Sequence, residues 1–236
     1  LSNFLYKTIV VCDFPIGFNS PWEMSMTKQN LTPTPEDVTG YDFVLNFSAI
    51  KHVRSEKDPY TLLRMIETNI FNTDKTITQS INNNCKKYFC VSTDKAANPV
   101  NLMGGTKRIM EKVLMKRSED IPISTARFAN VAFSNGSLLD GFIYRLDKKQ
   151  PLSCPEDIKR FFVTPEQSGQ ICLLATFLGD TGNIFFPKLD FHKDQIYFKE
   201  IALDFLKENG FEPFLAKSEK EAKEVVKLYN FGKKNA

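Results

Sequence analysis

Four short apolar runs alternate along this chain with longer amphipathic stretches, and that alternation constrains the fold more than any other feature. The runs are residues 9–12 (Ile-Val-Val-Cys), 43–47 (Phe-Val-Leu-Asn-Phe), 88–91 (Tyr-Phe-Cys-Val) and 123–128 (Ile-Ser-Thr-Ala-Arg-Phe). Between the second and third, Leu62, Ile66, Ile70, Ile77 and Ile81 recur near helical spacing; between the third and fourth, Ile109, Met110, Val113 and Leu114 do the same. Strands this continuously apolar cannot show one face to water. Strand–helix–strand repetition of this kind therefore predicts an α/β protein with a doubly wound parallel sheet covered on both faces. Residues 14–40, rich in Pro, Asn, Ser and Thr, read as loop with at most a short helix. From Gly136 onward the alternation loosens, and Pro151, Pro155 and Pro165 cut the chain into short pieces, as in a smaller capping subdomain. Helices are expected over 196–208 and 217–228, the latter a solvated Lys/Glu face.

The bulk numbers exclude several classes. A chain of 236 residues, 42% hydrophobic and 25% charged, can bury a substantial core. A net charge of +3 asks for no nucleic acid and leaves room for a local basic pocket that grips a phosphorylated ligand. Cys12, Cys85, Cys90, Cys154 and Cys172 form no CxxC pair, so they read as reduced thiols of a cytoplasmic protein, with neither disulfides nor a metal site. No apolar stretch approaches the ~20 residues that span a bilayer and no signal peptide is visible, so the expectation is a soluble chain without a membrane partner.

In open α/β sheets ligands bind beyond the carboxyl ends of the strands. The polar clusters sit there: Asp13 after the first run, Ser48 and Lys51-His52 after the second, Ser92-Thr93-Asp94-Lys95 after the third and Asn130 after the fourth. Thr93, Asp94 and Lys95 place a hydroxyl, a carboxylate and an ammonium side by side. An adjacent acid and amine in a dry pocket can share a proton, so the set can remove one proton, donate another and orient a sugar hydroxyl. Met103 and Lys107, four apart, share one helix face.

The segments Asn46-Phe47-Ser48-Ala49-Ile50-Lys51-His52-Val53, Ser92 through Pro99, Met103-Gly104-Gly105-Thr106-Lys107 and Arg127 through Ser137 follow one another in order. Together they resemble the bacterial UDP-N-acetylglucosamine 4,6-dehydratases, an extended short-chain dehydrogenase/reductase family of surface-polysaccharide biosynthesis, over roughly residues 41–189. The resemblance implies a Rossmann-like fold, a bound NAD or NADP, a UDP-linked hexose as substrate and a homo-oligomer built through the helices of Ile66 and Met110. It also implies the reaction: oxidation at C4, loss of water across C5–C6 and hydride return to C6. By the same resemblance Asp94 supplies the proton to the departing 6-hydroxyl, Lys95 removes the C5 proton, Thr93 hydrogen-bonds the C4 oxygen and Lys107 binds the nicotinamide ribose. Met103 stands where the usual tyrosine base is found, and a thioether accepts no proton. The C4 base is then open among Asp94, Thr93 and Lys107 acting through water.

Further roles come with the resemblance. Asp13 is matched to the acid that meets adenine, and Asn46, Ser48, Ala49 and Lys51 to the loop along the cofactor's phosphates and ribose. Asn69 is matched to the cofactor-side asparagine that steadies the catalytic loop. Asn130, Ser134 and Ser137 are matched to donors for the substrate's pyrophosphate, with Gly136 letting backbone approach. Arg160 brings a guanidinium fork to the same group. The domains expected are 1–135, a partial dinucleotide-binding domain, and 136–236, a substrate-binding subdomain with C-terminal helices.

One departure is large. The resembled fold opens with a glycine-rich phosphate loop, and no such fingerprint lies in this chain. In a sheet ordered 3-2-1-4-5-6, a chain that enters at the third strand leaves a gap before the fourth, with unpaired backbone. The fold is thus expected to be N-terminally incomplete, through upstream residues left out or a natural truncation, in preference to a rearranged 1–35 whose strand pairs with the central ones. Beside the dehydratase stands a non-catalytic nucleotide-sugar-binding subunit that has lost its NAD site. A related epimerase or reductase is a third reading, for which tyrosine at 103 is expected.

Overall fold

The computed structural model describes the backbone of residues 8–11, 40–51 and 58–232, with side chains for 40–51 and 58–226. Strands are β1 Thr8–Val11, β2 Phe43–Asn46, β3 Lys87–Val91, β4 Ile123–Ala126, β5 Asn130–Val131, β6 Lys159–Val163, β7 Ile184–Phe185 and β8 Gln195–Tyr197. Helices are α1 Pro59–Ile66, α2 Asn72–Asn82, α3 Leu102–Arg117, α4 Leu138–Asp147, α5 Pro165–Leu178, α6 Phe198–Glu208 and α7 Glu219–Gly232. They fall into two units: residues 1–128 with 167–187, and residues 129–166 with 188–236.

The first unit is a parallel sheet ordered β1-β2-β3-β4-β7. Side chains alternate across it, as the pleat demands. Val44, Tyr88, Cys90 and Ile123 pack with Ile77 of α2 and Met110 and Leu114 of α3. Leu45, Phe89 and Ala126 point the other way, onto Cys172 and Ala175 of α5. Helices on both faces make the sheet doubly wound. The expected gap before β2 is not there: β1 pairs with β2 directly, Thr8 against Phe43 through Val11 against Asn46.

The second unit is a small sheet ordered β5-β6-β8, parallel between β5 and β6 and antiparallel between β6 and β8. Its core is Leu139 and Phe142 of α4 with Ala202 of α6, flanked by Phe162, Phe198 and Phe205.

A single boundary between 135 and 136 does not describe this division. The chain leaves the first unit after Phe128 and returns over 167–187, because α5 and β7 complete the sheet there. Ser124 Oγ donates to Ala175 O at 2.6 Å, and Arg127 N to Phe185 O at 2.7 Å. The apolar run 123–128 also ends early as a strand, at Ala126. Residues 196 and 197, expected to open a helix, belong to β8 instead. Met110 is fully buried. The apolar residues that α1, α3 and the turn after α1 expose are Tyr60, Leu63, Phe71 and Ile109.

Candidate active site

The loop that leaves β2 is held by two buried amides. Asn46 Nδ2 donates to the Tyr88 hydroxyl at 2.7 Å, and Asn46 Oδ1 accepts from Ser48 N at 2.9 Å. Asn69 Oδ1 accepts from Ile50 N at 2.9 Å, while its Nδ2 donates to Ile50 O and to Thr106 Oγ1 of α3, both at 3.0 Å. Asn69 lies in a π-helical turn, Glu67–Phe71, between α1 and α2. Such a turn inserts one extra residue into the helical path and re-aims what it carries, a device frequent at functional sites. Both asparagines, matched by resemblance to cofactor ligands, therefore direct their amides at protein groups and position the 46–51 loop. Ser48 is buried, Ala49 half-buried and Lys51 exposed. Asp13 and His52 lie outside the described residues.

Tyr88 anchors this arrangement. Its hydroxyl is fully buried and meets Thr76 Oγ1 at 2.6 Å as well as Asn46. Burial, reinforced by Cys90, pushes its ionisation well above the ordinary tyrosine value, so the group stays a neutral hydroxyl. Tyr88→Phe is expected to cost about 1–3 kcal/mol, because it orphans the Asn46 amide inside the core. Urea unfolding of the variant measures this, and an unchanged midpoint would mean that the network bears no load.

Beyond β3 the backbone is tied to the end of β4, with Ser92 N donating to Ala126 O at 2.8 Å and Asp94 N to Phe128 O at 3.3 Å. A short 3-10 turn, Asp94–Ala96, follows. Three groups converge on it: Thr93 Oγ1 donates to Asp94 Oδ1 at 2.9 Å, and Lys95 Nζ donates to the same oxygen at 3.2 Å. The set is assembled but not dry. The Lys95 and Asp94 side chains are 42% and 48% exposed, so this unit does not itself supply the dehydrated couple that proton sharing requires.

Helix α3 begins at the cap of Asn101, whose Oδ1 accepts from Gly104 N at 2.9 Å. Met103 is buried, and Lys107 is 4% exposed. Lys107 Nζ donates to Val91 O at 3.0 Å and lies 3.5 Å from Met110 Sδ. Burial pushes the Lys107 ammonium below the ordinary lysine value, against the opposing pull of Cys90 and Glu111. Two further residues complete the site: Glu111, which lies outside the motifs, and Arg127, which opens one of them but is matched to no role there. Glu111 and Arg127 form a bidentate pair at 2.7 and 2.6 Å, and Ser92 Oγ donates to Glu111 Oε1 at 2.6 Å. The available signal was Glu111 standing four residues after Lys107, on the same helix face.

The residues matched to the substrate's pyrophosphate lie in the second unit. Asn130 Nδ2 donates to Phe161 O at 3.1 Å. Ser137 Oγ caps α4, accepting from Asp140 N at 3.1 Å, and Ser134 O accepts from Ser137 N at 2.9 Å. Between them Gly136 takes φ +72°, a left-handed conformation that glycine adopts without steric cost, and its N–H donates to Asp140 Oδ2. Arg160 is exposed on β6. The cap takes one of the two lone pairs of the Ser137 hydroxyl.

Among the described residues no cluster of His, Cys, Asp and Glu could hold a metal ion, and no helix is long and apolar enough to cross a membrane. An uncharacterized membrane protein of Methanocaldococcus jannaschii is 32% identical over 169 residues, covering 69% of this chain and 49% of that protein. A UDP-glucose 4-epimerase of Rickettsia rickettsii is 30% identical over 166 residues, covering 68% of this chain and 48% of the enzyme. The chain thus spans about half the length of these curated relatives. DesIV, a dTDP-glucose 4,6-dehydratase of Streptomyces venezuelae solved with NAD bound, superposes with a TM-score of 0.64 at 18% identity, over 75% of this chain and 60% of that one. That likeness is one of fold: a Rossmann-like sheet with helices on both faces. A family model described as polysaccharide biosynthesis protein matches residues 27–224, which takes in both units, and the chain belongs to that family.

Proposed function

We propose that this chain carries the catalytic and substrate-binding part of an NAD- or NADP-dependent nucleotide-sugar 4,6-dehydratase, acting on UDP-N-acetylglucosamine or a similar UDP-hexose in surface polysaccharide biosynthesis. The observation that carries the reading is the convergence of the Thr93 hydroxyl and the Lys95 ammonium on one Asp94 carboxylate oxygen at the carboxyl end of β3. The names of the relatives, an epimerase of UDP-glucose and a dehydratase of dTDP-glucose, support the substrate class.

The described residues fit part of a dinucleotide site. The Lys107 ammonium has three donors and directs two at Val91 O and Met110 Sδ, one of these a weak thioether acceptor; a ribose hydroxyl would take the third. Ser48, Ala49 and Lys51 would flank the same cofactor. When bound, it would supply the transient oxidation at C4 that acidifies the C5 hydrogen.

The rest is proton management by the chain itself. Thr93 would hold the C4 oxygen. Lys95, neutral, would take the C5 proton while Asp94, protonated, gave its proton to the departing 6-hydroxyl, so that one water leaves. That step ends with an ammonium and a carboxylate, the ion pair seen at 3.2 Å, and the same hydrogen bond returns the proton to Asp94. The reactive protonation is the uncharged one, which dehydration favours. Substrate covering the half-exposed pair would accomplish this. Arg160 would meet the UDP pyrophosphate.

Incubating the protein with UDP-N-acetylglucosamine and NAD, and reading the product by mass spectrometry and NMR, tests the proposal. A 4-keto-6-deoxy sugar is expected. A C4 epimer would instead favour the activity named for the Rickettsia relative. Thermal stabilisation by UDP-sugar with no turnover, and none by NAD, would replace the enzyme with a binding subunit.

A further inference from the structure

We propose that Glu111 is the positioning residue of this site: its one buried carboxylate ties the ends of β3 and β4 to α3 and so fixes where the Thr93–Lys95 turn emerges. The inference deepens the dehydratase reading and rests on it for its catalytic meaning.

Glu111 is 3% exposed and sits one turn beyond Lys107. Its Oε1 accepts from Ser92 Oγ at 2.6 Å and from Arg127 Nε at 2.7 Å, and its Oε2 accepts from Arg127 Nη2 at 2.6 Å. Ser92 is the residue immediately before Thr93, and Arg127 the first after β4. The backbone next to each partner closes the circuit: Val91 O receives Lys107 Nζ, and Phe128 O receives Asp94 N. Every chain segment that delivers a reacting group is therefore pinned, directly or through one neighbour, to a single carboxylate.

A salt bridge that only stabilised the fold would not need Ser92. An apolar replacement of similar volume often stabilises a core as well as a buried ion pair does. What apolar side chains cannot do is fix three strand and helix ends with directional, charge-assisted hydrogen bonds. Arg108 Nη1, 3.7 Å from Oε2, adds a second cation at the rim. The groups that act electrostatically on Lys107 are Cys90 from β3 and Glu111 from its own helix, so the carboxylate also opposes loss of the lysine's proton.

Amide hydrogen exchange on the purified protein, wild type against Glu111→Gln and Glu111→Asp, tests the proposal without any substrate. Glu111→Gln sets an N–H against the Arg127 donors. It is expected to speed exchange at Ser92 and Asp94 by at least roughly tenfold, while Val44 and Leu45 of β2 keep wild-type rates. Glu111→Asp, which keeps the charge, should restore part of the protection. In turnover, Glu111→Gln should lower kcat by about a hundredfold with KM for the UDP-sugar nearly unchanged. Should Glu111→Gln fail to fold, Ser92→Ala cuts only the tie to the turn, and the same local acceleration is expected there. Unchanged exchange at Ser92 and Asp94, or equal acceleration across β2, would overturn the proposal. A wild-type protein inert toward nucleotide sugars but showing the selective exchange would remove the dehydratase reading and leave the positioning role.

Discussion

Lys107→Met is expected to lower turnover of a nucleotide sugar by about a thousandfold while the folded state keeps wild-type stability or gains on it. The two effects part because the lysine is almost wholly buried, at 4% exposure, in surroundings that disfavour its charge. Burial depresses its proton affinity more than Cys90 and Glu111 restore it. Methionine has nearly the same length, carries no charge to desolvate and fits beside Met110 Sδ. Against this stands the lost donor to Val91 O, about 1 kcal/mol. The pH dependence gives the comparison a sign. An unfolded lysine holds its proton more tightly than the folded one, so protonation favours the unfolded chain. The burden is full below the folded value and lifts as pH rises toward that of an exposed lysine. Wild type should therefore gain on Lys107→Met in alkaline buffer. Urea midpoints at neutral and alkaline pH, set beside kcat at neutral pH, measure all three. A variant that loses several kcal/mol together with its activity would make Lys107 a structural cation.

What the sequence revealed, and what it hid, divides along the range of the interactions. The central strands were legible because Tyr88-Phe89-Cys90 and Phe43-Val44-Leu45 are apolar on both faces, which only a sheet sandwiched between helices can accommodate. The turn at Thr93–Lys95 was legible for a similar reason, being a polar cluster directly after such a strand. The π-turn was not, because an extra residue per turn over only Glu67–Phe71 barely disturbs the spacing of Ile66, Ile70 and Ile77. Glu111 was hidden more deeply. It is one acid in a helix full of charges, and its partners Arg127 and Ser92 stand 16 and 19 residues away, just past the ends of two different strands. Exposure was hidden as well. Adjacent Asp94 and Lys95 look alike in sequence whether water reaches them or not, and the structure finds them half in solvent. The strand pairing of β1 with β2 shows the same limit, since register between segments 35 residues apart is a property of the folded sheet, where Thr8 faces Phe43.

Gly104→Ala and Gly105→Ala, neighbours on the same helical turn, are expected to behave oppositely. Alanine is favoured over glycine in a helix interior by up to about 1 kcal/mol, so each substitution starts with the same advantage. At Gly105 a Cβ would meet nothing within 4 Å among the described residues, and the variant should gain stability by roughly 0.5–1 kcal/mol with turnover unchanged. At Gly104 the added carbon would stand 2.9 Å from the Lys95 carbonyl oxygen and 3.3 Å from both Asn101 Oδ1 and Pro99 Cα. Two of these are backbone atoms of the segment that carries the Thr93–Lys95 turn, and the third is the helix cap itself. The two backbone atoms cannot rotate away, and Asn101 Oδ1 can do so only by giving up the cap, so either the start of α3 lifts or the 95–99 segment is pushed outward by a few tenths of an ångström. A displacement of that kind moves Lys95 relative to a substrate held elsewhere, and small misplacements of reacting groups cost rates steeply. Gly104→Ala should therefore lose about ten- to a hundredfold in kcat and forfeit its helix-propensity gain. Thermal melting and steady-state kinetics on the pair decide the matter. If Gly104→Ala proved as stable and as active as Gly105→Ala, the close approach of α3 to the turn would have no part in holding Asp94 and Lys95 in place.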